Sequence, residues 1–234
     1  MPIRCTTLIG AAVLLTAYPP NRLSAQVGYP PTASPFHDLR GGGGPAFRVG
    51  FLTGERGSVG VGHSSGLTYG FRYETAIGGP TIFTAGFAYA RTDRFVVDPY
   101  KDSLSRKSGP FPDDMFLADV GLQFSLTGPK TWHGIAPYIG TSLGLAISKG
   151  SPADTSGYEF GTKLTIAPGV GVRWYPARRI TVAADLRAIF WKLRYPASYK
   201  VPSPVDSSVV LAGNAPDTDW TTHPWFSIGV GWIF

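Results

Sequence analysis

The sequence contains one cysteine, little charge and, beyond its first residues, no long apolar run. Charged side chains make up 15% of its 234 residues, well below the roughly 25% of an average soluble domain. No stretch after the leader reaches the ~18 consecutive apolar residues of a transmembrane helix. Glycine and proline are instead abundant, with 30 and 21 copies, which is typical of short strands joined by turns.

Residues 1–25 are typical of a secretory signal. Arg4 precedes an apolar stretch from Thr6 to Tyr18, and small residues around Ala25 offer a cleavage site. The apolar stretch is too short to cross a membrane core of about 30 Å as a helix. We therefore predict a cleaved signal peptide. Its removal takes away Cys5, which excludes a disulfide or a thiolate metal site in the mature chain.

The positive charge of the chain is modest and dispersed. Removal of Arg4 and Arg22 with the leader lowers the net charge from +6 to +4, with 19 basic and 15 acidic residues left. The absence of a basic run argues against nucleic acid as a partner and is compatible with anionic lipid headgroups. His37, His133 and His223 are scattered without ligand spacing, so neither a metal nor a cofactor is predicted.

Residues 26–44 are rich in proline and glycine and are predicted to be a flexible lead-in. From residue 45 to 234, segments of about ten residues alternate with a period of two. One face of each segment carries large apolar side chains, and the other carries Gly, Ser, Thr and charged residues. Eight such strands are predicted near 47–51, 67–74, 83–90, 116–125, 135–145, 164–174, 180–190 and 224–234.

The connections between these segments alternate in length. Short turns are predicted near 76–80, 127–133 and 175–179, long loops near 93–113, 149–159 and 194–223, and an intermediate loop near 54–63. An even-numbered antiparallel barrel with short turns at one end and long loops at the other has this alternation. The predicted fold is therefore all-β, an eight-stranded antiparallel up-and-down transmembrane barrel.

The polarity of the two faces distinguishes a membrane barrel from a soluble, lipocalin-like one. A lipocalin packs its large apolar residues inside the barrel. In this chain the charged residues would lie inside instead, in the narrow interior of an eight-stranded barrel, which side chains fill. Aromatic residues near the strand ends are predicted to form the two girdles of a membrane barrel. The predicted girdle residues are Trp132, Trp174, Tyr175, Trp232 and Phe234 at the turn end, and Tyr89, Phe190, Trp191 and Trp225 at the loop end.

Residues 44–234 resemble the small OmpA/OmpX-type outer-membrane barrel domains of bacteria. The resemblance rests on the leader, the strand count, the alternation and the terminal aromatic residue. It implies that Phe234, with Trp232 and Val230 behind it, forms the signal that the barrel-assembly machinery recognises. It also implies a bacterial outer-membrane location, with membrane lipid and lipopolysaccharide as surroundings, and a monomer.

The charged residues on the inner face are predicted to form a structural network that plugs the barrel, because buried charges must be paired. A proton or ion relay is the alternative interpretation. The residues of this set are Arg72, Glu74, Asp119, Arg173, Asp185 and Arg187.

The triplet His63-Ser64-Ser65 resembles the His-x-Ser pair of barrel-type lipid A deacylases, which also use a Glu. His63 and Ser65 share the predicted lipid-facing parity, but Glu74 lies nine residues beyond Ser65 on the opposite face, about 30 Å along a strand. A catalytic base and its orienting carboxylate must be within hydrogen-bond reach. We therefore predict a loop-edge histidine and no catalytic residues.

The predicted function is that of a non-enzymatic outer-membrane barrel, either a structural envelope component or one that acts through its surface loops. Two alternatives remain, a lipid-modifying barrel enzyme and a soluble periplasmic ligand binder. A narrow pore is disfavoured, because eight strands enclose no open channel.

Overall fold

The computed structural model describes residues 34–39, 42–148, 150, 154 and 156–234. The predicted signal peptide and the first part of the predicted lead-in lie outside the described residues. The part from Phe36 to Phe234 forms one compact unit. No helix within the described residues is long and apolar enough to cross a membrane.

Twelve strands and one short 3-10 helix, Ala197–Lys200, make up the regular structure of the described residues. The strands are β1 (Phe36–Asp38), β2 (Gly43–Leu52), β3 (Gly66–Gly78), β4 (Thr81–Ala90), β5 (Asp93–Val97), β6 (Lys107–Pro112), β7 (Met115–Ser125), β8 (Lys130–Trp132), β9 (Ile135–Ser148), β10 (Thr162–Ala177), β11 (Ile180–Arg194) and β12 (Thr218–Trp232).

Eight of these strands close into a barrel. Each pairs antiparallel with its neighbours in the order β2-β3-β4-β7-β9-β10-β11-β12, and β12 returns to pair with β2. At this closure Phe226 lies opposite Phe51, and Val230 lies opposite Phe47. Every connection joins strands that are adjacent in the barrel, so the predicted eight-stranded up-and-down fold is confirmed.

The two faces of the barrel differ as the alternation predicts. Large apolar side chains point outward and stay exposed around the whole circumference, where they form an apolar belt. The belt includes Phe47, Val49, Phe51, Leu67, Phe71, Phe87, Val120, Leu122, Phe124, Ile139, Leu143, Leu145, Leu164, Ile166, Val170, Val172, Trp174, Leu186, Phe226, Ile228, Val230 and Trp232. Soluble monomers rarely expose an apolar surface of this extent.

Two short strands at the turn end were not predicted. β1 pairs with β8, with Phe36 opposite Trp132 and Asp38 opposite Lys130. The end of the predicted flexible lead-in is therefore part of the sheet, and the connection predicted near 127–133 contains a strand. Three residue pairs carry too few alternating side chains to give a period-two signal in the sequence.

The long-loop end contains more regular structure than predicted. Inside the loop predicted near 93–113, β5 and β6 form a hairpin whose Val96 and Val97 are buried. β11 and β12 stay paired beyond the belt as far as Arg194 and Thr218, so the longest predicted loop is shorter. The alternation continues in this extension, but its exposed face carries polar side chains such as Lys192.

The inside of the barrel is apolar towards the long-loop end. Trp191 and Trp225 are buried there, which corrects their prediction as girdle residues. Both occupy odd-numbered positions, which in β11 and β12 point inward together with Asp185, Arg187 and the other buried residues of these strands. They pack in a cluster with Leu52, Met115, Leu117, Ile189, Leu193 and residues of the loops.

Candidate functional site

The interior towards the turn end holds an interior charge network. It contains the six predicted residues and Arg48, all facing inward: Arg48, Arg72, Glu74, Asp119, Arg173, Asp185 and Arg187. Glu74 is one centre of the network, since Arg48 Nη2 donates to its Oε1 at 2.8 Å and Arg173 Nε donates to its Oε2 at 2.9 Å. Arg187 Nη1 donates to Asp119 Oδ2 at 3.1 Å.

Asp185 is the second centre of the network. Arg72 Nη1 donates to its Oδ1 at 3.3 Å, and Arg48 forms a close ion pair with its other oxygen. The hydroxyl of Tyr138 also donates to Asp185. Through these contacts the six predicted residues come together in one filled volume, four guanidinium groups facing three carboxylates when Arg48 is included.

Three members of this interior were absent from the predicted set, although their parity places them inward. They are Arg48, Gln123, which accepts a hydrogen bond from Arg173, and Tyr138. A signal for them lies in the inward glycines, which leave room for long neighbours. A Cβ on Gly229 would stand 2.6 Å from the side chain of Arg48, and one on Gly171 would stand 2.5 Å from the ring of Tyr138.

The barrel interior is filled. Two interior voids, one lined in part by Tyr138 and Asp185 and one by Arg48 and Arg72, hold about 10 Å³ each. That is about the space of one water molecule. The aromatic face of Trp225 closes over the network, with the guanidinium carbon of Arg187 at 4.1 Å from its ring centroid. The described interior therefore holds small voids between the residues of the interior charge network.

The loops at the other end fold into a loop cap, defined by residues 53–65, 91–114, 150, 154, 156–161 and 195–217. Arg94 is its central cation, with Nε at 2.6 Å from Asp113 Oδ2 and Nη2 at 2.5 Å from Asp154 Oδ2. Ser148 Oγ also donates to Asp113. Burial alone would raise the pKa of Asp113, but the contacts with His63, Ser148 and Arg94 outweigh it and hold that pKa below its usual value.

A group of aromatic rings packs the loop cap against the extended ends of β11 and β12. The rings of Trp191 and His223 stack at 3.7 Å, and Phe160 meets Trp191 edge-on at 5.8 Å. Tyr199, from the short 3-10 helix, is buried in the same cluster. Its desolvation raises its pKa to about 12, so its phenol stays neutral.

His63 lies in the loop before β3, as predicted, but the structure corrects its predicted lipid-facing direction. Its side chain is buried, with Nε2 at 3.4 Å from Asp113 Oδ2 and its ring edge-on to Phe160 at 4.4 Å. The loop before β3 turns inward over the barrel, which the strand parity does not take into account. Ser65 Oγ instead accepts a hydrogen bond from the Gly54 N–H at 3.0 Å, and Glu74 pairs with arginines of the interior charge network. The triplet is therefore not assembled with Glu74.

The predicted assembly-signal residues lie together on the outward face at the end of the chain. Val230 and Trp232 belong to the apolar belt, opposite Val182 and Ile180 of β11. Phe234 is 77% exposed, and its backbone N–H donates to Gly43 O at 3.1 Å. Its side chain therefore adds little to the packing of the folded barrel.

Within the described part of the chain, no three side chains of His, Asp or Glu come together in the way that a bound metal ion requires. Asp113 is committed to Arg94 and His63, and the hydroxyl of Tyr89 donates to Asp114. These two acidic residues are therefore used in contacts within the protein.

No protein-family model and no curated protein matches the chain. In fold it is similar to neisserial surface protein A, with a TM-score of 0.52 and 12% identity over 86% of this chain and 98% of that one. It is also similar to the outer membrane protein OprG from Pseudomonas aeruginosa, with a TM-score of 0.51 and 13% identity over 84% of this chain and 98% of that one. The chain thus has the fold of the small eight-stranded outer-membrane β-barrels.

Proposed function

We propose that this protein is a non-enzymatic, monomeric barrel of the bacterial outer membrane that acts through its loop cap. The apolar belt supports the membrane location, because only a lipid surround makes such a surface favourable. The barrel strands are 10 to 16 residues long, enough for the roughly 9–11 residues that a tilted strand needs to cross a bilayer. The long loops would then face outward from the cell.

The observation that carries an interaction role is a tip patch on the loop cap. It consists of five exposed apolar residues from two different loops: Tyr100, Leu104, Val201, Val205 and Val209. Leu104 is 96% exposed. Apolar side chains grouped on an exposed surface mark sites of contact with other macromolecules.

The two loops of the tip patch are held together by hydrogen bonds. The Ser103 N–H donates to Asp206 Oδ2 at 2.8 Å, and Ser203 Oγ donates to the carbonyl of Tyr100 at 3.3 Å. Arg106 also donates to Ser208. The patch is therefore presented on an ordered support, which lowers the entropic cost of binding a partner.

The filled interior argues against transport of a solute through the barrel and against binding of a ligand inside it. The carboxylate of Asp113 lies beside His63, but it also accepts hydrogen bonds from Ser148 and Arg94, which argues against a catalytic role for this pair. In the membrane the proposed surroundings are lipid and lipopolysaccharide, and the proposed assembly partner is the barrel-assembly machinery, reached through β12.

Fractionation followed by gel electrophoresis with and without boiling tests the location. A heat-dependent mobility shift of protein from the outer-membrane fraction supports the proposal, and a heat-indifferent protein in the soluble fraction overturns it. Planar bilayers provide a second readout, in which step-like conductance would contradict the filled interior.

The interaction role is tested on cells that display the barrel. Attachment to a panel of purified extracellular proteins is compared between wild type and the double variant Leu104→Ser/Val205→Ser. The control is Ala212→Ser/Asn214→Ser, at two exposed residues of the same loop outside the tip patch. Loss of attachment with the patch variant alone supports the role. Attachment no greater than that of barrel-free cells, for wild type and both variants, refutes it.

A further inference from the structure

The outward face of β11 changes from apolar to basic at one level. Every second residue from Ile180 to Phe190 is apolar, which gives a stretch of about eleven residues, the length that spans a bilayer. The next two outward residues are Lys192 and Arg194, and both are exposed. Their neighbours Trp191 and Leu193 are fully buried, which fixes the outward direction of the two cations.

An aromatic and hydroxyl-bearing surface adjoins the two cations. Lys192 lies opposite Trp220 of β12, which is 60% exposed, and Arg194 lies opposite Thr218. Thr222 lies one outward position below, opposite Phe190, and is exposed. Tryptophan favours the level at which a membrane meets water, so the indole and the Lys192 ammonium mark the headgroup layer together.

The apolar belt reaches the same level on the neighbouring strand. Leu164 of β10 is exposed on the outward face. Lys163 beside it has inward parity, and its ammonium lies 5.6 Å from the ring centroid of the buried Phe160. The two cations at the upper rim of the apolar belt therefore both belong to β11.

None of the described residues places a carboxylate within 4 Å of Lys192 or Arg194. Asp217, which directly precedes β12, is paired with Lys200 at 2.5 Å. Asp219 accepts hydrogen bonds from the Ser58 N–H at 2.8 Å and from the Tyr195 hydroxyl at 3.2 Å. The positive charge of the rim is therefore not neutralised within the protein.

We propose that Lys192 and Arg194 bind the phosphate groups of a phosphorylated glycolipid in the leaflet next to the long loops. Its acyl chains lie along Leu164 and Phe190. This inference rests on the proposed outer-membrane location and names a lipid site within it. Charge complementarity requires an anionic headgroup, because each cation near a membrane surface adds attraction for an anionic lipid.

A sugar headgroup fits this surface better than a glycerol one. The outward hydroxyls of Thr218 and Thr222 flank Trp220, and together they offer hydrogen-bonding groups and a flat ring to a sugar. A diphosphorylated disaccharide would also present two separated phosphates to these two cations.

The test measures binding of lipid A to the purified, heat-modifiable barrel in uncharged detergent. Lys192→Gln/Arg194→Gln should weaken binding by about thirtyfold, since each cation contributes about a factor of five. The control Arg178→Gln/Arg179→Gln removes the same charge from exposed residues at the turn end and should bind like wild type. Lipid A without its phosphates should bind weakly to the wild-type protein. Its affinity should be similar to that of intact lipid A for the Lys192→Gln/Arg194→Gln variant.

Three outcomes would overturn the site. Equal weakening in both variants would indicate a general charge effect, and unchanged binding in the rim variant would place the lipid elsewhere. Binding of phosphatidylglycerol as tight as that of lipid A would contradict the glycolipid assignment. A protein that shows no heat-dependent shift would instead refute the proposed membrane location, so the two failures are distinguishable.

Discussion

Arg173 and Glu74 form an ion pair, with Nε at 2.9 Å from Oε2, that crosses the whole barrel. Arg173 lies on β10 and Glu74 on β3, and four steps separate these strands in either direction around the eight-stranded ring. Arg48 on β2 contacts the other oxygen of the same carboxylate at 2.8 Å. One acid thus joins three strands through the interior, which a hollow barrel could not do.

Substitution of Glu74 tests how much these ion pairs contribute to the stability of the barrel. Glu74→Gln keeps the shape of the side chain but leaves Arg48 and Arg173 without its charge, and removal of one partner from a buried pair costs about 3–5 kcal/mol. We expect a lower urea midpoint for loss of the heat-modifiable band. Glu159→Gln, at an exposed residue of the loop cap, serves as the control. An equal midpoint in the two variants would show that the interior charge network does not stabilise the barrel.

Two buried tyrosines should respond in opposite ways to loss of the hydroxyl. Tyr138 donates to Asp185, whereas the hydroxyl of Tyr158 has no hydrogen-bond partner among the described residues. Tyr138→Phe leaves a buried acceptor under-satisfied and should cost about 1–3 kcal/mol. Tyr158→Phe removes an unsatisfied polar atom and should be neutral or stabilising.

The comparison is made with the free energy of unfolding from urea titrations of both variants. Both changes remove the same atom from a buried ring, so each variant is the control of the other. A larger loss of stability in Tyr158→Phe than in Tyr138→Phe would contradict the assignment of their partners.

Asp113 should make the loop cap sensitive to acid. Its pKa is held below the usual value by its contacts with His63, Ser148 and Arg94, against the effect of burial. Such a carboxylate contributes stability above the unfolded-state pKa of about 3.9, and this contribution is lost as the pH falls through the lower folded-state pKa. We therefore expect the loop cap to open below about pH 4 while it stays closed at neutral pH.

Hydrogen exchange of the cap amides across a pH series measures this opening. Asp113→Asn should raise exchange at neutral pH and flatten its dependence on acid. The matched control is Asp93→Asn, which changes an exposed carboxylate at the start of β5. If the two variants showed the same acid dependence as wild type, another group would control the opening.

The barrel could be predicted from the sequence because each strand is specified by a pattern within a short segment of the chain. A period of two over ten residues fixes which side chains point inward, and this rule places Arg72, Asp185 and Arg187 correctly. The same rule also places Trp191 and Trp225 inside, since they share the parity of Asp185 and Ser227. The prediction of Trp191 and Trp225 as girdle residues was wrong because it gave their aromatic type more weight than their inward parity.

The loop cap could not be predicted in the same way. Arg94 meets Asp154 across 60 residues of sequence, and His63 reaches Asp113 across 50. These contacts have no period and no fixed spacing, so only the folded chain brings them together. The side chains that hold the tip patch in place likewise join two loops that are about 100 residues apart.

Phe234 allows assembly to be separated from stability. Its side chain is 77% exposed and packs little against the folded barrel, so Phe234→Ala should refold in detergent like wild type. Recognition by the assembly machinery would instead depend on this ring, and we expect much less heat-modifiable protein in the outer membrane of cells. Phe226→Ala removes an exposed aromatic ring from the middle of the same strand and should leave assembly near the wild-type level. A parallel loss of refolding and assembly in Phe234→Ala would mean that the residue acts through folding, because a recognition role leaves the refolded barrel unchanged.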